Sequence, residues 1–413
     1  MPYYAYCMRR RGGYGKDFKF RFGMFKKLPK RKFGKRRLWI QAVSVGEIKA
    51  LGKLVDLLNS SGLYEIVLTT TTSTGYELAC NLYAKKTLFI GLFPFDFWLF
   101  SKLAWDRIFP HVALLAESEI WPEHIWQASV RGVPVILING RISDRTFRRY
   151  KLLGELALPV LEKISHVIAS DQISADRCRE IGISPHIIKV GGNMKFDSEV
   201  EKLSDGENLA LRKSLGFGED DLILLGSSTW QGEEEMLIQA LEKCREICGR
   251  WKLLLVPRHE ERRDKIAALL RASGFSWHQR SRGGARGEVH ICLADTTGEL
   301  QTLTSVASIA FIGKSLAPNT GGQSPLDAAC CGIPIVYGSR MTNFRDICSS
   351  LERSRCAIKV KNSADAMAAI VALVRNEGSR KIFAKNLTEW HKNNCGASEF
   401  VCRKIQEIAF SKK

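Results

Sequence analysis

Short apolar runs alternate with stretches of helical period along most of the chain, and this alternation constrains the fold more than any other feature. The run Leu38 to Val43 is typical of a buried strand, and "EIKALGKLVDLLN" after it spaces its apolar residues at helical period. In the first half, strands are predicted at 38–43, 65–71, 87–91, 110–116, 134–138 and 166–170, and helices at about 47–59, 74–84, 97–105, 122–131, 144–164 and 172–181. Strands that alternate with helices predict a parallel sheet covered by helices on both faces.

The same alternation restarts in the second half, at "LILLGSS", after the polar stretch "EKLSDGENLALRKSLGFGEDD". It continues through "KLLLVP", "VHICLAD", "ASIAFIG" and "IPIVYG", and the chain ends in helix-like runs. The sequence therefore predicts an α/β fold of two Rossmann-like, doubly wound domains that face a cleft, with ligands at the carboxyl ends of the strands. The predicted domains are 38–203 and 204–413, and the second includes the C-terminal helices.

A basic, aromatic-rich segment, residues 1–37, precedes these domains. Between Arg9 and Arg37 there are fourteen Lys and Arg against one acid, Asp17, so this stretch supplies 13 of the 19 net positive charges. This composition suits an anionic surface, either acidic lipid or nucleic acid, and a solvated basic tail is an equally good explanation. We prefer a lipid surface into which Phe20, Phe22 and Phe25 insert shallowly. A nucleic-acid-binding protein is the alternative class, but it leaves the polar clusters elsewhere unexplained.

Several other classes of protein lose support. The 12 cysteines include no CxxC pair, and the 8 histidines are dispersed, so we expect reduced thiols and no metal site. The chain contains no GxGxxG, no GxxxxGK[ST] and no GxSxG, which argues against dinucleotide-binding, P-loop and hydrolase functions. The most apolar stretch, 87–105, is interrupted by Pro94, Asp96 and Lys102, and it falls short of a membrane span.

Polar clusters follow strand after strand, and three residues in the first half are candidates for chemistry. Glu47 falls in the first helical turn after a strand, where an acid either complements the helix dipole or acts in acid–base chemistry. Glu117 ends the buried run "VALLAES", so burial should raise its pKa or require a cationic partner. Lys195 in "GNMKFD" could be that partner. The alternatives are a helix-capping acid for Glu117 and an ordinary surface lysine for Lys195.

The second half has the features of a nucleotide pocket. In "NTGGQSPLDAACCG", adjacent glycines, Gly321 and Gly322, precede a predicted helix start at 324–325, and backbone N–H groups at such a start can hold a phosphate. Asp327 could accept hydrogen bonds from ribose hydroxyls. "TGEL" offers a second helix start, and Arg258 follows a strand where it can pair with a phosphate. Each of these signals alone is weak, since a Gly-Gly pair before a helix is usually only a turn.

An ordered set of nine motifs is more specific. "AVSVGE", "TTTTSTG", "ESEIWP", "NGRISDRT", "GNMKFD", "GSSTWQGEEE", "VPRHEER", "DTTGEL" and "GGQSPLDAACCGIPIVYG" resemble, in this order, the 3-deoxy-D-manno-octulosonic acid (Kdo) transferases of Gram-negative bacteria. These enzymes move Kdo from CMP-Kdo to a lipid A precursor, lipid IVA. The resemblance runs from about residue 38 to the C-terminus. It implies a glycosyltransferase-B fold, the acceptor on the first domain, the sugar nucleotide on the second, and no cofactor. It also implies work at the cytoplasmic face of the inner membrane, with no nucleic-acid partner.

The resemblance also assigns roles to residues. Glu47 matches the general base, kept ionised by its helix terminus, and Glu117 and Lys195 match positions that steady the transition state of an inverting displacement. The matching CMP-binding segments and further donor contacts are Pro257, Arg258, Thr297, Gly298, Glu299, Ser324, Pro325, Leu326 and Asp327, then Ser228, Lys314, Gly321 and Gly322.

The chain departs from the family pattern in three places. "MPYYAYCMRRR" lacks the usual apolar anchor, so either binding to the membrane is peripheral or the start is incomplete. Gln323 and Asp327 stand where Asn or His and then Glu are expected, and the side chain of Asp is one methylene shorter than Glu for the ribose contact. Trp230 stands where His is common. Another glycosyltransferase-B enzyme, such as a lipid A disaccharide synthase or a heptosyltransferase using a different nucleotide sugar, is the alternative within enzymes.

Overall fold

The computed structural model describes residues 15–197 and 203–411, and this part of the chain divides into two compact units. The first unit contains the described residues up to 197 together with those from Asn394 onward, and the second contains those from 203 to 393. Each unit is built on a seven-stranded sheet in which neighbouring strands pair in parallel. The predicted α/β fold with two doubly wound sheets is confirmed.

The sheet of the first unit has the strand order β3-β2-β1-β4-β5-β6-β7. Apolar side chains alternate between two cores along β1, since Trp39 packs on one face while Leu38 and Ile40 pack on the other. Its strands are β1 Arg36–Ala42, β2 Tyr64–Thr70, β3 Phe89–Leu92, β4 Val112–Ala116, β5 Val135–Gly140, β6 His166–Ala169 and β7 Ile188–Val190. Its helices are α1 Val45–Ala50, α2 Gly52–Ser60, α3 Ser73–Tyr83, α4 Trp98–Ile108, α5 Pro122–Val130, α6 Asp144–Leu153, α7 Leu158–Leu161, α8 Gln172–Glu180 and, at the end of the chain, α17 Ala397–Phe410.

The second unit has the strand order β10-β11-β9-β8-β12-β13-β14. Its strands are β8 Leu222–Thr229, β9 Trp251–Pro257, β10 Trp277–Gln279, β11 Ile291–Leu293, β12 Ile309–Ile312, β13 Ile335–Gly338 and β14 Ala357–Val360. Its helices are α9 Asp205–Leu215, α10 Glu233–Ile247, α11 Arg263–Ala272, α12 Leu300–Thr304, α13 Leu326–Cys330, α14 Arg345–Arg353, α15 Ser363–Arg375 and α16 Glu377–Asn394. Chain order reverses between β8 and β12 here, and between β1 and β4 in the first unit. Doubly wound sheets bind ligands at such reversal points.

Some local predictions were wrong. The helix predicted at 144–164 is divided into α6, a 3-10 turn and α7, because Gly154 takes a φ of 52° that helical backbone does not allow. The polar stretch predicted as a link contains α9, which begins with a capping box between Ser204 and Glu207. β7, β10 and β14 have only three or four residues each, too few for a period to be visible in the sequence.

The C-terminal boundary of the second domain was also wrong. The prediction assigned residues 204–413 to that domain, but α17 belongs to the first unit. Asp197 binds the start of α17, accepting hydrogen bonds from the backbone N–H groups of Gly396 (2.7 Å), Ala397 (3.3 Å) and Ser398 (2.5 Å). Val401 and Ile405 of the same helix are buried in the first unit's core. An amphipathic helix shows in sequence that it must bury a face, but not which unit receives it.

The described part of the basic segment is folded onto the first unit. The first 14 residues of the predicted segment 1–37 lie outside the described residues. A 3-10 helix spans Gly15–Phe22, and the side chains of Phe20 and Phe25 are 5% and 0% exposed, stacked on each other with ring centroids 5.5 Å apart. The prediction that these two phenylalanines insert into lipid is therefore wrong, because they are core residues. Among the described residues, no helix combines the length and apolar character needed to cross a bilayer.

Candidate active site

The first unit brings its three predicted residues to the carboxyl edge of the sheet. Glu47 follows β1 and Glu117 follows β4, so they flank the reversal point. Lys195 follows β7 in a short 3-10 helix, Met194–Asp197. The segment after β7 turns back over the neighbouring strand ends, since the N–H of Met194 binds the side chain of Asn139 at the end of β5. This turn carries the lysine toward the glutamates.

Glu47 makes local hydrogen bonds with both carboxylate oxygens. Oε2 accepts the backbone N–H of Val43 at 2.8 Å, and Oε1 accepts the hydroxyl of Ser44, the N-cap of α1, at 2.9 Å. The interpretation of Glu47 as an acid bound at a helix terminus is therefore confirmed. Each oxygen keeps a second lone pair that can receive a proton, so these bonds leave a base function open. The role of base stays a prediction.

The surroundings of Glu47 act on its pKa in both directions, with a net upward shift. Burial raises the pKa of Glu47 above its ordinary value, and the nearby charge of Glu117 raises it further. The N–H of Val43, the hydroxyl of Ser44 and the charge of Lys195 act in the opposite direction. Burial outweighs each of these, so the helix terminus alone does not set the ionisation of this carboxyl. A general base works best when its pKa is close to the operating pH.

Glu117 has the cationic partner that its position in the sequence predicted. Nζ of Lys195 lies 2.5 Å from Oε1 of Glu117, and their side chains are only 26% and 20% exposed. Glu117 has a φ of 54°, in the left-handed region that non-glycine residues rarely adopt. This unusual backbone occurs where β4 leaves the sheet. Strained positions of this kind cluster at functional sites, because they aim a side chain that regular structure would direct elsewhere.

Buried polar groups hold the lysine segment in place. Asn139 is 2% exposed, and its Oδ1 accepts the backbone N–H of Met194 at 3.0 Å, next to Lys195. Asn139 itself has a φ of 50° at the end of β5. On the other side of Lys195, Asp197 binds the start of α17. Two anchors on either side of the lysine thus fix the loop that carries it.

Glu119 is a third carboxyl at this site, and the sequence interpretation missed it. Burial, followed by smaller contributions that include the charges of Glu47 and Glu117, raises its pKa to about 7. The indole N–H of Trp121 donates to its Oε2 at 2.6 Å, and Gln41 also hydrogen-bonds to it. The spacing "ESE" offered a signal, because an acid two residues from Glu117 in an irregular loop can return to the same side.

In the second unit, the predicted donor contacts Ser228 and Lys314 flank the reversal point between β8 and β12. Both have left-handed backbone, with φ of 53° and 57°. Nζ of Lys314 lies 4.4 Å from the ring centroid of Trp230, a cation–π contact. The ring of His259 lies edge-on to the same indole, with centroids 5.2 Å apart. Trp230, one of the residues that depart from the family pattern, thus lies at the centre of this cluster.

Glu233 organises the backbone around that cluster. It is 1% exposed, and its carboxylate accepts the backbone N–H groups of Trp230 (2.9 Å), Lys314 (2.8 Å), Ser315 (3.0 Å) and Leu316 (3.3 Å). One buried carboxylate thereby ties the end of β8 to the loop after β12. The run "GEEE" predicted a polar cluster, but not that its first glutamate is a buried scaffold.

The residues after β9 take separate roles. The backbone N–H of Arg258 donates to the carbonyl of Thr229 at 3.2 Å, which places Arg258 near the end of β8. Because Arg258 is exposed, its side chain is available to a ligand there. Pro257 is the last residue of the strand. Arg262 is committed elsewhere, since it pairs with the fully buried Glu234 through two hydrogen bonds of 2.7 and 3.0 Å.

The predicted segment 297–299 follows β11 at the same edge. Thr297 and Gly298 are exposed, whereas Glu299 is held by Arg280 through hydrogen bonds of 2.9 and 2.7 Å. The bond from Arg280, helped by Thr296, lowers the pKa of Glu299 to about 2. Glu299 is therefore an anionic anchor for the turn, and the exposed backbone of Thr297 and Gly298 remains available to a ligand.

The glycine-rich segment follows β12 and leads into α13. Gly321 and Gly322 have φ of 104° and 73°, and a side chain at Gly322 would collide with Met341. The predicted helix start is one residue late in the structure, since Pro325 is the N-cap and α13 begins at Leu326. The hydroxyl of Ser324 accepts the N–H of Leu326 at 3.3 Å, and Asp327 lies in the first turn. The structure thus places all of the predicted nucleotide residues at the carboxyl edge of one sheet.

Comparison with known proteins identifies the family. The profile described as 3-deoxy-D-manno-octulosonic-acid transferase (kdotransferase) matches residues 16–198. The 3-deoxy-D-manno-octulosonic acid transferase of Haemophilus influenzae is 30% identical over 351 residues, covering 83% of this chain and 80% of that protein. The chain belongs to the Kdo transferase family. It is therefore a glycosyltransferase, as its ordered motifs predicted.

Two further comparisons bear on its extent and fold. A bifunctional glycosyltransferase/methyltransferase of Fusobacterium nucleatum is 30% identical over 83% of this Kdo transferase chain, which covers 53% of that protein. The chain thus spans about half the length of that relative. The UDP-GlcNAc 2-epimerase of Neisseria meningitidis bound to UDP-GlcNAc matches with a TM-score of 0.60 at 12% identity, over 90% of this chain and 100% of that one. At that identity the likeness concerns the fold alone, and the predicted glycosyltransferase-B fold is confirmed.

Proposed function

We propose that this Kdo transferase moves Kdo from CMP-Kdo to a sugar hydroxyl of a lipid A precursor, with inversion at the anomeric carbon. The observation that carries the proposal is the group of Glu47, Glu117 and Lys195 at the reversal point of the first sheet. It offers a half-buried base beside an ion pair, which is what deprotonation of a hydroxyl next to a developing positive charge requires. Lipid IVA is the acceptor we propose, in line with the family's motifs.

Glu47 acts as the base in this mechanism. The acceptor hydroxyl transfers its proton to a carboxylate oxygen of Glu47 as its own oxygen forms a bond to the anomeric carbon of Kdo. The bond from that carbon to the phosphate oxygen breaks at the same time, and CMP leaves with the electron pair. Partial positive charge develops on the sugar ring, and the carboxylate of Glu117 stabilises it. Lys195 keeps the carboxylate of Glu117 oriented through their short contact.

The second unit holds CMP in this proposal. Arg258 and Lys314 supply positive charge for the phosphate, and the exposed N–H groups near Gly298 supply backbone donors. Asp327 receives hydrogen bonds from the ribose hydroxyls. Charge that develops on the departing phosphate is then stabilised by this chain's own cations and N–H groups, and we assign no step to a metal or cofactor.

We also propose that the enzyme works at the cytoplasmic face of the inner membrane. Its lipid acceptor resides in a bilayer, and the basic segment 1–37 has a net charge of +13 that anionic lipid headgroups attract. Nucleic acid is not a partner in this proposal.

The decisive experiment measures transfer from CMP-Kdo to detergent-dispersed lipid IVA by the wild type, Glu47→Gln and Asp171→Asn. Asp171 is a matched control, because it caps α8 at the same edge of the sheet without lying at the reversal point. We expect a loss of at least about a hundredfold in kcat for Glu47→Gln, from removal of a general base, and less than about threefold for Asp171→Asn, whose amide oxygen can still cap. The thermal stability of both variants checks that they are folded.

Two outcomes would contradict the proposal. Full activity in Glu47→Gln would reduce Glu47 to a structural acid at a helix terminus. Absence of Kdo transfer by the wild type, together with transfer from a nucleotide-diphosphate sugar, would place the enzyme's substrates outside those of its family.

A further inference from the structure

An exposed aromatic surface lies where β3 leads into α4. The side chains of Phe97 and Trp98 are 49% and 57% exposed. The ring of Phe97 packs on that of Phe100 with centroids 5.4 Å apart, Phe100 packs on Phe22 at 5.2 Å, and Phe22 packs on Phe18 at 5.5 Å. We call this continuous patch the α4 aromatic surface; its members are Phe18, Phe22, Met24, Phe95, Phe97, Trp98, Leu99 and Phe100.

This surface is a fixed part of the first unit. Beneath it, Phe20 and Phe25 are buried and contact Phe89 of β3 with centroids 5.4 and 5.5 Å away. Arg21 is 4% exposed, donates to the carbonyl of Phe93, and covers the ring of Phe95 at 4.2 Å. The part of the basic segment near the surface is therefore anchored by core packing, and it presents its remaining apolar side chains in a defined arrangement.

The charges around the surface are mainly positive. Lys19 and Lys102 are exposed beside it, on the 3-10 helix and on the first turns of α4. The nearby acids are turned to protein partners. Asp17 accepts the hydroxyl of Tyr76 at 3.2 Å, and Asp96, just before α4, accepts the N–H of His124 at 3.1 Å. Asp106, near the far end of α4, pairs with Arg131. Exposed aromatic side chains with lysines at their rim match a bilayer that carries anionic headgroups.

The position of the surface relates it to the acceptor site of the same unit. β3, β2 and β1 are consecutive neighbours in the sheet, and the α4 aromatic surface and Glu47 both follow the carboxyl ends of their strands. Two strand spacings separate the end of β3 from the end of β1, which is on the order of 10 Å. A bilayer that covers this surface would thus bring lipid headgroups to the edge where Glu47 lies.

We propose that the α4 aromatic surface docks this enzyme on an anionic lipid bilayer, with Phe97, Trp98 and Leu99 inserted at headgroup level and Lys19 and Lys102 against phosphates. This inference rests on the proposed function, because it specifies where a lipid-borne acceptor reaches the first unit. The partner is the bilayer itself. In this proposal the exposed side chains of the α4 aromatic surface contact the lipid, in place of Phe20 and Phe25, which are buried.

The first test is co-sedimentation of the full chain with vesicles that contain phosphatidylglycerol. We expect the double variant Phe97→Ser/Trp98→Ser to bind about tenfold more weakly, since two large apolar side chains no longer enter the interface. Lys19→Glu and Lys102→Glu should each weaken binding by about fivefold or more at low salt. Trp126→Ser is the matched control, because Trp126 is 51% exposed on α5 of the same unit, outside the surface, and should bind as the wild type does.

The second test separates docking from chemistry. With acceptor dispersed in detergent, Phe97→Ser/Trp98→Ser should transfer Kdo at the wild-type kcat, and with acceptor in vesicles its rate should fall in parallel with its binding. If the wild type transferred no Kdo in detergent, the proposed function would fail while the vesicle result still stood.

Three results would overturn the docking proposal. One is undiminished vesicle binding by the double variant. Another is loss of binding only when the exposed leucines of the α6 region, Leu152 and Leu156, are replaced by Ser, which would move the interface to that side. The third is a wild-type dimer in sedimentation equilibrium that the double variant abolishes without any change in vesicle binding, which would make the surface a contact between two copies of the chain.

Discussion

Nζ of Lys195 lies 2.5 Å from Oε1 of Glu117, although the two residues are 78 positions apart in the sequence. The pair connects the end of β4 with the turn after β7, and it lies next to Glu47, whose ionisation responds to both partners in opposite directions. The ion pair therefore has a second role besides any contact with substrate. It adjusts the pKa of the proposed base.

This opposition predicts shifts of opposite sign in the pH profile of kcat/KM. Glu117→Gln removes a negative charge that raises the pKa of Glu47, so the acid limb should move to lower pH. Lys195→Met removes a positive charge that lowers it, so the acid limb should move to higher pH. Both shifts act on the midpoint of the same acid limb, and their opposite signs are the prediction. Because the midpoint of the limb does not depend on the size of the rate, it can be read even in slow variants. Shifts in the same direction would show that another group controls the limb.

Glu119 predicts a pH dependence of stability. Its pKa is about 7 in the folded protein, above the ordinary value of 4.5, so the folded state binds this proton more tightly than the unfolded state does. The stabilisation that this bound proton gives the folded state is therefore fully present below about pH 4.5, and it is lost as the pH rises toward about 7. Glu119→Gln carries no such charge, so its melting temperature relative to wild type should increase between pH 5 and pH 8. A difference in melting temperature that stayed constant between pH 5 and pH 8 would contradict this role of Glu119.

Because Glu233 holds the loop after β12 from a buried position, we predict that its replacement weakens the binding of CMP. Its carboxylate accepts four backbone N–H groups, and glutamine would place an NH₂ group against at least one of them. Glu233→Gln should therefore loosen the loop after β12 and weaken CMP binding by about tenfold or more, because buried donors would lose their acceptor. Titration calorimetry with CMP measures this loss. Glu242→Gln, an exposed position on the same helix α10, should bind CMP as the wild type does.

Asp197 predicts that α17 supports the site in the first unit. Asp197→Ala leaves three N–H groups at the start of α17 without their carboxylate, which should destabilise the first unit by on the order of 2–4 kcal/mol. Thermal denaturation and the rate of proteolysis near residue 396 report this change. Asp365→Ala, an exposed position in the first turn of α15, should cost about 1 kcal/mol or less. If the Asp197 variant were as stable as the wild type, α17 would be held by its apolar face alone.

Much of the architecture was predictable, because apolar periodicity reports which faces are buried. The pairing of Glu117 with Lys195 was also predictable, since a carboxyl at the end of a buried run needs a cation. The sequence did not reveal the left-handed backbone of Glu117, Ser228 and Lys314, because these residue types have no preference for it. Asn139 is of a type that adopts it more often, but most asparagines do not. Phe20 and Phe25 were misassigned because aromatic side chains among lysines have the same composition at a lipid surface and over a core.

The return of the last helix to the first unit has a consequence for synthesis. A ribosome translates the whole second unit before it reaches Gly396, so the nascent first unit lacks α17 during that time. The apolar surface that packs against Val401 and Ile405 is then uncovered. A message cut short by a few dozen codons would still encode every proposed contact residue, yet its product would lack the partner of Asp197. Completion of the first unit's fold is thereby coupled to translation past α17.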